Sequence, residues 1–201
     1  FITVINKVPE FYSFLFVWLA LMPGALMASS LGSWMVGLEG DSVWYLYSSP
    51  ITARSLVKAK YSFAVLFSLA VTLVCSIIGG LLAAPSMGIA AIALTEALFL
   101  IFSLGMVSLS FGIRGADFRE LPRPRMIRPR WAIINMIVCI LLALAIVSPV
   151  VLYIVKLFLE AVQPPLYAMV PISGVIAFVI TYVFYRIALK NAEEFLIKAE
   201  G

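Results

Sequence analysis

The chain contains no histidine at all. Imidazole moves protons near neutral pH and is the commonest metal ligand. Its absence excludes His-based acid–base chemistry, His metal sites and Ser-His-Asp triads together. Cysteine is nearly absent as well. Cys75 and Cys139 both fall in apolar runs, where a thiol behaves as a small buried hydrophobe. Two isolated cysteines give neither a disulfide framework nor a metal-ligand spacing, so no metal site is expected. No Gly-x-x-x-x-Gly-Lys-Ser/Thr segment occurs, so the chain carries no phosphate loop of its own. Charge is scarce too: 12% of residues are charged, against about 25% in a soluble domain.

What fills the chain is hydrocarbon. Of its 201 residues 64% are hydrophobic, and the mean hydropathy is +1.11. A membrane span takes ~20 mostly apolar residues, so this length holds about five spans and leaves no room for a soluble catalytic domain. Five apolar runs are present, at residues 11–34, 61–83, 87–113, 131–155 and 167–185. They are apolar all round, without the polar/apolar alternation of a transmembrane barrel strand. Each must therefore be helical to satisfy its own backbone in lipid. The fold class is an all-α integral membrane protein, and residues 1–201 form one transmembrane domain.

Charge sets the orientation. Residues 39–60, residues 114–130 and the tail from Arg186 alternate to one side and carry 12 of the 14 basic residues. The other side has only Lys7 and Lys156. The positive-inside rule places the richer side in the cytoplasm, with the visible N-terminus outside and the C-terminus inside. The opening FITVINKVPE does not read as a signal peptide. An outside start of this kind implies a span further upstream.

Two polar stretches interrupt the hydrocarbon. The first, EGDSVWYLYSSPITARSLVKAK, runs from Glu39 to Lys60. Asp41 is a plausible cap for a short helix over Ser42–Tyr47, and Ser49-Pro50 ends it. Thr52 caps the helix that follows. Trp44, Tyr45, Leu46 and Tyr47 read either as an interfacial aromatic belt or as a docking surface for a partner. The second, residues 114–130, contains Arg119, Arg123, Arg125, Arg128 and Arg130 among its six Arg, for a local charge of +4. This basic loop meets anionic lipid headgroups or a partner. The membrane already accounts for it, so no nucleic-acid role is read from it.

Within the spans one charge stands alone. Glu96 lies about ten residues into the third run. A carboxylate there costs a few kcal/mol unless it faces a bundle interior or water. It reads as a residue of a substrate path or gate, or as a protonated structural group. Gly79-Gly80, Gly105 and Gly112 permit close helix approach, and Pro149 and Pro171 fall inside runs. The half-polar stretch 156–171 reads either as an ordinary outside loop or as a segment that dips back into the outer leaflet.

The pattern Glu39-Gly40, Trp44, Leu46, Ser49-Pro50-Ile51-Thr52, Leu56, Ala59-Lys60, with the later Gly115-Ala116-Asp117-Phe118, resembles the permease subunit of type 2 ABC exporters. The resemblance implies six spans in the full unit and a short cytoplasmic coupling helix. Glu39, Asp41, Trp44, Tyr45, Leu46, Tyr47, Ser49 and Pro50 would then contact a cytoplasmic ABC ATPase. It implies ATP and Mg on that partner and no cofactor or enzyme activity in this chain. A second permease half, identical or not, would complete the unit in the plasma membrane. The resulting expectation is an ATP-driven exporter permease. The competing one is a non-transporting membrane scaffold of a larger complex.

Overall fold

The computed structural model describes residues 8–39, 51–116, 127–158 and 166–197. Five long helices account for nearly all of them: α1 Val8–Trp34, α2 Ala53–Ala83, α3 Met87–Gly115, α4 Pro129–Phe158 and α5 Leu166–Ile197. All five contain a stretch long and apolar enough to cross a membrane. The shortest has 27 residues, or about 40 Å at 1.5 Å per residue, which exceeds the ~30 Å of hydrocarbon. No strand occurs among the described residues. An isolated antiparallel bridge, Ala116 with Ile127, pins the two ends of the basic loop.

The helices run past the apolar segments into polar sequence. Helix α2 begins at Ala53, where the Thr52 hydroxyl accepts the Ser55 N–H at 3.2 Å. Arg54, Lys58 and Lys60 therefore ride on its first two turns. Helix α5 continues through Glu193 and Glu194 to Ile197. Helix α4 runs to Phe158 and α5 starts at Leu166, so helix occupies most of the stretch read as a loop or a re-entrant segment. Residues 159–165 lie outside the described set. The expected short coupling helix lies outside it too.

Local chemistry explains the breaks. Between α2 and α3 the chain turns at Ala84, whose φ of 41° and ψ of 55° are left-handed. Its N–H closes on the Gly80 carbonyl at 2.9 Å. Pro85 cannot continue the helix, and Ser86 caps α3 by accepting the Ile89 N–H. Pro149 lies inside α4, where it lacks the N–H that would serve the Ala145 carbonyl. The Ser148 hydroxyl donates to that carbonyl instead, at 2.9 Å. A helix in lipid survives a proline by this kind of replacement.

Helix α3 is the axis of the bundle and packs against all four others. It lies parallel to α1. A Cβ on Gly32 would sit 2.7 Å from the Gly105 carbonyl oxygen, and one on Gly112 would sit 2.5 Å from the Ser33 carbonyl oxygen. Ala20, Gly24, Ala28 and Gly32 recur every four residues on the buried face of α1. That spacing lets two backbones touch where no hydrophobic effect drives them together. Helix α5 is also parallel to α3, while α2 and α4 run opposite. One core joins Ala97, Leu100, Leu104 and Val107 of α3 to Leu21, Cys139, Ile146 and Ala177. A second joins Val36, Leu56, Val57, Ile113, Ala188 and Ala192. Large apolar side chains such as Leu66, Leu81, Leu141 and Phe178 face outward, as they do in a helix bathed by lipid.

Candidate functional site

Alternation of the helices gathers the charges at one end. There the second core ties the end of α1, the start of α2 and the far ends of α3 and α5 together. Glu39, at the close of a short 3-10 turn after α1, forms an ion pair with Lys60 of α2. Both side chains are about four-fifths buried. The pair lines a groove of ≈ 610 Å³ together with Leu31, Met35, Leu38, Ala59 and Phe63. Asp41, Trp44, Tyr45, Leu46, Tyr47, Ser49 and Pro50 lie outside the described residues. Their flanks are held, by Glu39 on one side and by Ile51 against the second core on the other.

The basic loop is anchored at both ends. The Arg128 N–H donates to the Gly115 carbonyl at 2.9 Å. Arg114 stacks over the Trp131 ring with its guanidinium carbon 4.8 Å from the centroid, a cation–π contact. Phe111 links Trp131 to Phe184, so α3, α4 and α5 share one aromatic cluster just inside this end. Arg128 and Arg130 are exposed and free to meet headgroups or a partner. Arg119, Arg123 and Arg125 lie outside the described residues.

Glu96 faces the bundle interior and is 2% exposed. Neither carboxylate oxygen has a hydrogen-bond partner, and no ion-pair partner occurs among the described residues. Ser173 of α5 lies beside it as its side-chain neighbour, and the Ser173 hydroxyl has no partner elsewhere. Glu96, Ser103 and Ser110 stand seven residues apart on α3, all buried. Ser103 donates to the Phe99 and Ala177 carbonyls at 2.7 and 3.2 Å and receives Thr181 at 3.3 Å. At the Ser110 level, Asn191 donates its amide to the Ser110 carbonyl at 3.0 Å. A shorter relay joins α3 to α4, where Ser108 meets Cys139, which in turn reaches Asn135.

Sequence reasoning identifies Glu96 but not Ser173, Thr181 or Asn191. The seven-residue spacing on α3 was the available signal. The helix it faces is decided by tertiary packing.

Over residues 5–197 the chain matches the family described as "Putative ATP-binding cassette". It belongs to that family. Comparison with curated proteins and with solved structures gives no match. The family assignment corrects the expectation of an exporter permease, because the matched family is described by ATP binding and not as a permease. The competing expectation of a scaffold subunit finds no support either. The corrected reading had rested on a Ser-Pro turn and a few flanking residues, a short motif set against a match along nearly the whole chain. This member of the ATP-binding cassette family is a membrane protein and has a place in an ABC transporter system. It carries no phosphate loop in its sequence, and its described residues include no strand on which one could be built.

Proposed function

We propose that this chain is the membrane-embedded part of an ATP-binding cassette system whose nucleotide, with its Mg, is held elsewhere, on another polypeptide or another part of the gene product. The observation that carries this reading is a family match described by ATP binding on a chain of five membrane-length helices. The ATP-hydrolysing partner docks at the charged end, on the segment between Glu39 and Thr52. Support comes from the Glu39–Lys60 pair, which holds one end of that segment on the bundle beside an apolar groove, and from Ile51, which packs the other end against the second core. Trp44, Tyr45 and Tyr47 supply the large side chains that dominate such contacts. In this reading the basic end lies on the cytoplasmic face of the cell membrane. Arg128 and Arg130 then meet lipid headgroups or the same partner, and the outward apolar faces meet lipid or a second membrane half.

Purification from native membranes in mild detergent tests the reading. A phosphate-loop ATPase is expected to co-purify in fixed proportion, and Trp44→Ala with Glu39→Lys is expected to lower its recovery severalfold while the bundle still folds. Photolabelling of this chain itself by an azido-ATP analogue, in the absence of any partner, would overturn it.

A further inference from the structure

The seam between α3 and α5 is bridged by hydrogen bonds at the Ser103 and Ser110 levels and shows none at the Glu96 level. Ser103, Thr181, Ser110 and Asn191 all find partners across or along the seam. Glu96 and Ser173, at the same seam and nearer the opposite end, find none. Glu96 is 2% exposed and Ser173 0%, so bulk water does not satisfy them. A carboxylate so placed needs a counter-charge.

Among the described side chains none supplies one; those of Glu10 on α1 and Lys156 on α4 lie outside that set. On α2 the cations Arg54, Lys58 and Lys60 ride the first two turns, at the charged end. On α4 the described cation Arg130 sits at that end, with Arg128 just before the helix, and on α5 so do Arg186, Lys190, Glu193 and Glu194. Just past α1, Glu39 is held by Lys60 at that end. None of these faces Glu96. Three oxygens remain without a partner, two of a carboxylate and one of a hydroxyl, in a dry place whose side-chain donor is the Ser173 hydroxyl itself.

We propose that Glu96 and Ser173 form a binding site for a small monovalent cation, a proton or a sodium-sized ion, clamped between α3 and α5. A proton on one carboxylate oxygen turns it into a donor for the Ser173 oxygen. A sodium-sized ion takes all three oxygens and leaves the hydroxyl hydrogen to a helix carbonyl. Either way charge is cancelled where it is costliest, and occupancy ties the two parallel helices together at the level where they otherwise lack a polar bond. This site is independent of where the nucleotide-binding partner docks.

Carbodiimides that partition into membranes modify protonated carboxyl groups, so labelling reads the site directly. The purified protein in lipid nanodiscs is treated with dicyclohexylcarbodiimide, and the α3 peptide is followed by mass spectrometry. Labelling is expected at Glu96, lost in Glu96→Gln, and slower as pH rises. Protection by NaCl, but not by choline chloride at equal ionic strength, identifies sodium, and pH dependence without sodium protection identifies a proton. Ser173→Ala is expected to shift the protecting pH or sodium concentration about five- to tenfold, roughly the value of one hydrogen bond. Thermal unfolding of both variants in the same nanodiscs shows whether the bundle is intact. Absence of labelling at Glu96 across the pH range, or labelling indifferent to both pH and sodium, would overturn the site and leave a bound water as the occupant.

Discussion

Asn191 donates its side-chain amide to the backbone carbonyl of Ser110 across the α3–α5 interface, at 3.0 Å. It lies almost two turns from the end of α5, where the helix has begun to carry Lys190, Glu193 and Glu194. The bond fastens the emerging part of α5 to the central helix. Asn191→Leu keeps the volume and removes the donor. The expected cost is about 0.5–1.5 kcal/mol, with faster hydrogen exchange confined to the last two turns of α5. Exchange unchanged there would show that packing of Ala188 and Ala192 alone holds the segment.

Backbone contact between α1 and α3 makes a sharper forecast. Gly112→Ala places a methyl carbon 2.5 Å from the Ser33 carbonyl oxygen, and a backbone cannot rotate away as a side chain can. Destabilisation of about 1–3 kcal/mol is expected in detergent unfolding. Gly88→Ala, in the same helix with nothing within 4 Å, is the control and should be neutral or slightly stabilising. Equal effects at both positions would mean that helix propensity, not close approach, sets the cost.

Ala84 is the non-glycine residue at positive φ among the described residues. A left-handed alanine costs roughly 1–2 kcal/mol, part of which glycine would return in lost chain entropy. Ala84→Gly is therefore expected to stabilise by up to about 1 kcal/mol, and Ala84→Val to destabilise. A melting temperature lowered by the glycine would show that the turn holds a different geometry in the bilayer.

The five spans were legible because long runs without charge have few alternatives in water or lipid. Their ends were less so. Arg54, Lys58 and Lys60 mark where hydrocarbon stops, but a helix needs only its own hydrogen bonds and a cap to continue, and Thr52 supplies the cap. The same physics carries α5 beyond Tyr185 to Ile197. Glu96 stood out as one charge in a sea of methyl groups. Ser173 did not, because a serine is cheap anywhere in a helix that can absorb its hydroxyl. Only the parallel placement of α3 and α5 gives it meaning. The family was misjudged from Ser49-Pro50 and its neighbours because a turn motif reports local backbone geometry, which many membrane proteins share.

Among the described residues, five helices in alternating directions leave one helix without an opposite. Each carries roughly half a unit of negative charge at its C-terminus. Three C-termini, those of α1, α3 and α5, share the charged end with only two N-termini. One macrodipole is thus uncancelled along the bundle axis, in a medium that screens it poorly. Its negative pole meets Arg114 in the last turn of α3 and Arg128 and Arg130 beside it. The basic residues that orient the chain in the membrane also complete its electrostatics, so neutralising them should loosen the ends of α3 and α5 even where no partner or lipid is bound.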